Sequence, residues 1–315
     1  MFKKWIFPYL FLLFLPFFII LIFRVTPKEQ IPEVPEGNTV TLYHHETGNT
    51  EKLLLEDYLW GVVAGEMPAS YPGEALKAQT VASYTYLLHR KNTIAAHPSS
   101  DFGHEGDVCD DPDHCKAYLS PADATLKWGE DWYEASCERI SEAVSAVIEE
   151  ALLYNGIPAN TVFHAISGGK TEDAADVWGA SIPYLQSVDS HWDAEAKGFS
   201  SVVTVSIEEF CEKIGQTDHT IGATVLTAGG SVATQVIGDQ AFTGRELRSL
   251  FSLRSTRFTL KIEEDTAIFT VSGYGHQVGM SQYGASVLAQ NGYTYSEILA
   301  YYYPGTVLTK NYSLN

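Results

Sequence analysis

The sequence predicts an α+β protein in which mixed helices and strands form a cleft between two lobes, preceded by a single N-terminal transmembrane helix. Residues 5–23 form an uncharged run of 19 positions. Stretches with apolar residues at helical spacing, such as 55–66 and 137–153, occur alongside segments of alternating polarity such as 39–44. The 315 residues are 45% hydrophobic and 12% aromatic, which is typical of a chain with a large folded core.

The charge of the chain bears on its partners. With 39 acidic and 20 basic residues, the net charge is -19. The phosphate backbone of a nucleic acid would be repelled, so we exclude nucleic acid as a partner. A polysaccharide is compatible with this charge, because sugars are bound through hydrogen bonds and ring stacking, for which the chain has 18 Tyr and six Trp.

The N-terminal segments predict a membrane anchor. Residues 1–4 are predicted to be a cytoplasmic tail, and 5–23 are long enough to cross a bilayer as a helix despite two prolines. A cleaved signal peptide is the alternative, but no small-residue cleavage site follows. Residues 24–37, which include PKEQIPEVPEG, are predicted to be an extracytoplasmic linker. The body, 38–315, then lies outside the cytoplasm as a catalytic domain.

A glutamate on an apolar helix face is the first candidate for chemistry. A helix is predicted from the helical spacing of its apolar residues Leu55, Leu59, Val62 and Val63, and Glu66 falls on the same apolar face. Pro68 then ends the helix. A carboxyl group among packed side chains is desolvated, which favours its protonated form and suits a general acid. The alternative is a solvated glutamate at a frayed helix end.

The remaining elements follow in chain order. A second helix is predicted at about 74–90, and the polar residues 92–131 have little periodicity and are predicted to be irregular. Residues 137–153 predict a core helix. A strand, a short helix, a glycine hairpin and a helix capped by Thr243 predict an inserted lobe at about 200–258.

The irregular segment contains a candidate zinc site. Cys109, His114 and Cys115 lie in CDDPDHC, and His104 precedes them by five residues. Two thiolates and two imidazoles form a closed tetrahedral site of the kind zinc prefers, which would hold this loop in place. Three points stay open: His97 rivals His104 as the fourth ligand, the cysteines could form a disulfide outside the cytoplasm, or both could be free thiols.

Two further motifs contain glycine turns. TVFHAISGGKTEDAADVWGASIPYLQSVDS, at 161–190, has a Ser-Gly-Gly turn whose backbone can approach a ligand closely. GYGHQVGMSQYGASVLAQNGYTYSEILAYYYPG, at 273–305, has a glycine-rich start around His276 and then a predicted helix from near Met280. Its residue order matches neither of the common phosphate-binding loops.

These two motifs, with WGVVAGEMPASYPGEALKAQTVASYTY at 60–86, resemble the stage II sporulation protein D family of cell-wall lytic transglycosylases. The resemblance covers about residues 39–310. It implies that Glu66 is the catalytic residue. It also implies a set of residues that contact substrate, namely Tyr84, Ser167, Lys170, His276, Gln282 and Tyr283.

The chain departs from the family pattern at two positions. Gln277 stands where the family generally has glycine, and Tyr84 stands where it tends to have arginine. An arginine at the second position could pair with a sugar carboxylate, whereas a tyrosine can only hydrogen-bond or stack.

The resemblance implies a reaction and a location. The reaction is cleavage of the β-1,4 bond between N-acetylmuramic acid and N-acetylglucosamine in glycan strands without stem peptides, giving 1,6-anhydro ends. A single carboxyl group suffices, whereas a hydrolase usually needs two. The resemblance also implies a single-pass protein of the cell membrane, in the intermembrane space around the forespore. Its implied partners are a membrane-anchored amidase–endopeptidase and a third membrane protein of engulfment, and it permits structural zinc.

Two other functions remain open at this stage. A zinc-dependent cell-wall hydrolase, such as an amidase, would use the His/Cys loop as an open three-ligand site with bound water. Two thiolates and two imidazoles favour a closed structural site instead. The second alternative is a non-catalytic glycan-binding module that activates a partner amidase.

Overall fold

A computed structural model of the chain describes residues 38–96, 106–112 and 114–313. The predicted tail, anchor and linker, residues 1–37, lie outside these described residues. Among the helices of the described part, none combines the length and the apolar character needed to cross a lipid bilayer.

The described chain is a mixed α+β structure, as predicted. Its helices are α1 (Leu55–Glu66), α2 (Gly73–Ala96), α3 (Pro121–Trp128), α4 (Glu130–Val147), α5 (Ala174–Trp178), α6 (Ile207–Ile214), α7 (Gly244–Leu250), α8 (Gln282–Gln290) and α9 (Tyr295–Tyr302), with a 3₁₀ turn at His191–Glu195. Its strands are β1 (Thr39–Tyr43), β2 (Thr50–Leu54), β3 (Val108–Cys109), β4 (Ala151–Tyr154), β5 (Ile157–Pro158), β6 (Phe163–His164), β7 (Ser200–Ser206), β8 (Ile221–Leu226), β9 (Val232–Ile237), β10 (Gln240–Thr243), β11 (Phe258–Glu263), β12 (Thr266–Ser272), β13 (Met280–Ser281) and β14 (Val307–Thr309).

A first hydrophobic core surrounds α2, which packs against α1, α4, α8 and α9. The helix is buried over most of its circumference, as expected for a central helix. Two of its buried hydroxyl groups are satisfied within the helix, since Thr80 donates to the Leu76 carbonyl at 2.9 Å and Thr85 donates to the Val81 carbonyl at 2.7 Å. The helix therefore forms a rigid base for the residues around Glu66.

A second hydrophobic core lies among residues 203–271. Strands β11, β12 and β7 form an antiparallel sheet in that order, and β8, β9 and β10 form another. Phe210 stacks on Phe251 with ring centroids 5.2 Å apart. The predicted N-cap at Thr243 is confirmed, because Thr243 and Glu246 form a reciprocal capping box at the start of α7.

Two predictions of local structure were wrong in part. The helix predicted over 137–153 begins earlier and ends at Val147, after which Glu149 has a φ of +63° and Ala151–Tyr154 form β4. These apolar residues pair with β14, a distant partner that local periodicity does not reveal. The segment 92–131 is less irregular than predicted. It contains α3, which Ser120 caps by accepting a hydrogen bond from Asp123 N at 3.1 Å.

A short pair of parallel strands joins the motif at 161–190 to the motif at 273–305. Strand β6 pairs with β13, so that Phe163 lies opposite Met280 and His164 opposite Ser281. The Glu172 N–H also donates to the Gln277 carbonyl at 2.7 Å. These contacts bring residues more than 100 positions apart to one edge of the first core.

Candidate active site

Glu66 is the last residue of α1 and is half-buried. The next residue, Met67, is extended because it precedes Pro68, so the helix ends at the glutamate. One carboxylate oxygen, Oε1, accepts a hydrogen bond from the Ala117 backbone N–H at 2.8 Å. The other, Oε2, lies 3.5 Å from the side-chain nitrogen of Gln282. The carboxyl group is therefore held by protein contacts and does not point freely into solvent.

Gln282 reaches Glu66 because α8 begins at this residue. Ser281 caps the helix by accepting a hydrogen bond from Gly284 N at 3.1 Å. The Gln282 amide also donates to Oε1 of Gln79 on α2 at 3.3 Å. Both glutamine side chains are buried, so the amide that contacts Glu66 has a fixed position. Gln79 was not recognised from the sequence.

Two lysines interact electrostatically with Glu66. The ammonium group of Lys116 lies 3.9 Å from the centre of the Phe163 ring and 4.4 Å from that of Tyr86. Burial lowers the pKa of Lys116 to about 8, and the negative charge of Glu66 acts in the opposite direction. Lys127 donates to the Ala64 carbonyl at 3.2 Å, and burial lowers its pKa too, again opposed by Glu66. Glu66 therefore favours the charged form of both lysines.

A pocket of about 520 Å³ opens beside Glu66. Its wall combines the end of α1 and the turn after it with the α3–α4 hairpin. The lining residues are Gly65, Glu66, Met67, Pro68, Ala69, Ser70, Lys127, Trp128, Trp132 and Ser136. Glu66 is the single carboxylate among these lining residues, which belong to the described part of the chain. The pocket is of a size found in small-ligand sites.

Three of the four predicted metal ligands converge. The ligand atoms of Cys109, His114 and Cys115 all lie within 4.8 Å of one another. His114 Nδ1 is 3.1 Å from Cys109 Sγ and 3.5 Å from Cys115 Sγ. Both cysteines are free thiols in the structure, so the alternative disulfide is not formed. His104, and its rival His97, lie outside the described residues.

The chemistry of this cluster fits zinc. A hydrogen bond between the thiols lowers the pKa of Cys115 to about 7 and raises the pKa of Cys109. The pair therefore releases one proton easily and the second with difficulty. A zinc ion would offset this difficulty because it binds thiolates. Two thiolates and an imidazole at these separations match three corners of a tetrahedral site.

The cysteine loop also builds the wall behind Glu66. Ala117 lies two residues after Cys115, and Leu119 N donates to the Gly61 carbonyl of α1 at 3.0 Å. The Tyr118 ring packs so closely on α1 that a Cβ on Gly61 would lie 2.2 Å from it. The loop is thus docked on α1 along the turn that ends at Glu66, which explains how Ala117 reaches the carboxylate.

Comparison with known proteins assigns the family. Residues 43–154 match the protein-family model described as "Stage II sporulation protein". The chain is 36% identical over 290 residues to "Stage II sporulation protein D" of Bacillus subtilis (strain 168), covering 90% of this chain and 83% of that protein. The chain belongs to the stage II sporulation protein D family. A second relative of that name, from Bacillus amyloliquefaciens, is 35% identical over 276 residues, covering 86% of this chain and 79% of the relative.

A further relative has a different name. The "Amidase enhancer" of Bacillus subtilis (strain 168) is 30% identical over 311 residues, which cover 80% of this chain and 40% of that longer protein. The similarity therefore extends from the sporulation proteins to a protein named for its effect on an amidase.

At the first position where this chain departs from the family pattern, the structure places a residue in strained backbone geometry. Gln277 has a φ of +71°, a conformation that favours glycine. Its buried side chain accepts a hydrogen bond from Gly168 N at 2.5 Å and donates to the Ile166 carbonyl at 3.0 Å. The glutamine amide therefore holds the Ser-Gly-Gly turn, and these two bonds offset the cost of the positive φ.

The second departure, Tyr84, lies in the first core and is 2% exposed. Its hydroxyl donates to the Tyr312 carbonyl at 2.6 Å, and burial raises its pKa to about 12. The phenol therefore contacts protein, and Tyr84 is not among the residues that line the pocket beside Glu66. Ser167 is also fully buried, and its hydroxyl accepts from Gly169 N at 3.2 Å. Lys170 is exposed.

His276 lines a second pocket, of about 600 Å³, between α5 and α7. The Trp178 ring centroid is 5.3 Å from that of His276, and Arg245 and Arg248 line the same pocket. Burial and nearby positive charges hold the pKa of His276 well below its usual value, so the ring is neutral. Of the predicted substrate residues, the structure therefore brings only Gln282 to Glu66. His276 faces a separate pocket.

The last predicted substrate residue, Tyr283, is half-buried at the start of α8. Its backbone N–H donates to the Ala165 carbonyl at 3.1 Å. Its side chain interacts electrostatically with Tyr71. Tyr71 lies five residues after Glu66, in the turn that follows α1.

Asp193, which the sequence did not single out, connects the two glycine-containing motifs. It is fully buried and accepts hydrogen bonds from Ser167 N and the Ser281 hydroxyl, each at 2.5 Å, and from the Ser190 hydroxyl at 3.2 Å. Burial raises its pKa to about 7 against the effect of these bonds. Because Ser281 caps α8, Asp193 helps to position Gln282. No local pattern distinguishes this aspartate from the other acidic residues.

Proposed function

We propose that the chain is a membrane-anchored peptidoglycan lytic transglycosylase. It cleaves the β-1,4 bond between N-acetylmuramic acid and N-acetylglucosamine in denuded strands during sporulation engulfment. The observation that carries this proposal is that Glu66 is half-buried at a pocket in which it is the only carboxylate among the described lining residues. A hydrolase would need a second carboxylate within about 5–10 Å across the bond, whereas a transglycosylase needs one.

The contacts of Glu66 support its use as both acid and base. The protonated carboxyl group gives its proton to the oxygen of the leaving sugar. The resulting carboxylate then takes the proton of the muramic acid C6 hydroxyl, which attacks the anomeric carbon and closes the 1,6-anhydro ring. Ala117 N–H and the Gln282 amide orient the carboxylate oxygens, and Lys116 and Lys127 stabilise the anionic state between the two steps.

Zinc, in this proposal, has a structural role. Cys109, His114 and Cys115 would hold the ion, and His104, which lies outside the described residues, is the proposed fourth ligand. When bound, zinc supplies a crosslink within the loop that presents Ala117 to Glu66. It takes no part in the transfer of protons, which Glu66 performs alone.

The location and partners belong to the same proposal. Residues 5–23 anchor the chain in the cell membrane, and the body acts in the space around the forespore on a glycan strand lying in the pocket beside Glu66. The relative named "Amidase enhancer" supports a partner amidase, which would remove stem peptides and so supply denuded strands.

The same relative favours a second candidate function, that of a non-catalytic glycan-binding activator of a cell-wall amidase. The two functions differ in one requirement. A transglycosylase cleaves denuded strands by itself, whereas an activator produces no glycan cleavage and changes only the rate of the amidase.

The test is digestion of purified denuded strands by the full chain in water enriched in oxygen-18, followed by mass spectrometry. The proposal predicts 1,6-anhydro ends without the label, because no water enters the product. Labelled reducing ends would show hydrolysis and contradict it. Intact strands, together with faster cleavage of stem peptides when an amidase is added, would favour the activator.

A further inference from the structure

The α3–α4 hairpin exposes two large apolar side chains. Trp132, in the first turn of α4, is 70% exposed, and Leu126, on α3, is 84% exposed. Single exposed apolar side chains are common on protein surfaces, so exposure alone does not indicate a ligand, and the position of the side chain relative to a pocket decides. The two residues differ in one respect. Trp132 lines the Glu66 pocket, whereas Leu126 is not among the residues that line it.

A second tryptophan of the same pocket is held rigidly. The Trp128 ring meets the Trp60 ring edge to face, with centroids 6.1 Å apart and an interplanar angle of 76°. On another side its centroid lies 6.4 Å from that of Tyr133. A ring fixed by aromatic neighbours can accept a ligand with little loss of side-chain entropy.

The chemistry of the wall indicates the class of ligand. Two indole rings stand beside the polar side chains of Ser70, Lys127 and Ser136. A pyranose ring has this dual character, because its C–H face is apolar and its rim carries hydroxyl and acetamido groups. A purely apolar ligand would leave the polar side chains desolvated without partners, at a cost in binding free energy.

We infer that Trp128 and Trp132 form a sugar-binding subsite, in which an indole ring stacks on the apolar face of an N-acetylhexosamine next to the bond that Glu66 cleaves. The inference rests on the proposed function for the identity of the glycan. The subsite holds the strand in the pocket and takes no part in proton transfer. Trp132, as the more exposed ring, contributes contact area that only a bound sugar covers.

The test measures binding without turnover. In the full-length Glu66→Gln protein, the dissociation constant for denuded glycan strands is determined by calorimetry, alone and combined with Trp132→Ala, Trp132→Phe or Leu126→Ala. Loss of one stacked ring is expected to weaken binding about 2- to 10-fold. Trp132→Phe should retain most of the affinity because it keeps a flat apolar ring. Leu126→Ala is the matched control, since it removes a side chain of similar exposure outside the pocket, and it should bind like the parent.

Three results would overturn the subsite: an unchanged affinity of Trp132→Ala, an equal loss in Leu126→Ala, and no measurable binding of strands by the Glu66→Gln parent. Failure of the proposed function is recognised separately. If Trp132→Ala weakens binding but the wild type releases no anhydro product, the subsite stands and the transglycosylase reaction does not. If Trp132→Ala binds the strands as tightly as its parent, and anhydro product forms at the wild-type rate when Glu66 is present, only the subsite is contradicted.

Discussion

The backbone N–H of Ala117 donates a 2.8 Å hydrogen bond to Oε1 of Glu66. Ala117 lies two residues after Cys115, whose thiol belongs to the proposed zinc cluster. The proposed catalytic carboxylate and the cysteine cluster are therefore parts of one local structure. A change at the cysteines reaches Glu66 through two residues of backbone.

This connection predicts the effect of removing a zinc ligand. The wild-type chain is expected to carry about one zinc ion and Cys109→Ser much less, because the variant loses one of the two thiolates of the four-ligand site. Turnover of glycan strands should fall and the melting temperature should drop, since Ala117 is no longer held. Metal content by mass spectrometry and thermal unfolding check both effects.

Cys211→Ser is the control for this experiment. Cys211 lies in α6, near the second core, and is remote in sequence from the cluster. The Cys211→Ser protein should keep its zinc and its activity. A wild-type chain without zinc, or equal metal content in the two serine variants, would contradict the structural role of zinc.

The positive φ of Gln277 predicts an order of stability for two variants. Gln277→Ala loses both amide hydrogen bonds and keeps the unfavourable backbone, which should lower the free energy of unfolding by about 1–3 kcal/mol. Gln277→Gly loses the same bonds but relieves the backbone, so it should be about 1 kcal/mol more stable than the alanine variant. Urea denaturation measures both. An alanine variant as stable as the glycine variant would show that the φ is not strained.

Asp193 predicts a pH dependence of stability. Its pKa is about 7 in the folded protein and about 4 when unfolded, so the folded state holds the proton more tightly. The contribution of Asp193 to the free energy of unfolding is therefore complete below about pH 4. It is lost as the pH rises to about 7, by up to about 1.4 kcal/mol per pH unit. Asp193→Asn removes this titration.

The measurement compares urea denaturation of the wild type and Asp193→Asn at about pH 5 and about pH 8. The stability advantage of the wild type should be smaller at the higher pH. Groups that titrate equally in both proteins cancel in the difference. An advantage that is the same at both values would mean that the folded carboxyl group titrates normally.

The sequence predicted the parts of the fold and site that depend on neighbours along the chain. The helical spacing before Pro68 predicted a helix that ends at the proline, and α1 ends two residues before it, at Glu66. The ligand types of Cys109, His114 and Cys115, which are close together in the sequence, likewise predicted a cluster, and the structure brings these three residues together. In each case the residues that define the feature are close together in the sequence.

Features that depend on contacts between residues far apart in the sequence could not be predicted in the same way. Asp193 meets Ser281 because β6 and β13 pair, and each of these strands has two residues, too few for any periodicity. Trp132 stands beside Glu66 because the α3–α4 hairpin packs on α1, and α3, the first helix of this hairpin, lies in the segment 92–131 that was predicted to be irregular. Within that segment, Ser120 followed by Pro121 at the start of α3 is a sequence pattern typical of a helix N-terminus.

The central claim is that the Glu66 carboxyl group alone both gives and takes the proton. Its most direct test is mass spectrometry of denuded glycan strands incubated side by side with the wild type and Glu66→Gln. The account predicts 1,6-anhydro-muramic acid ends from the wild type and a loss of at least about 100-fold in their rate of formation with Glu66→Gln. Equal yields of anhydro ends from both proteins would contradict it.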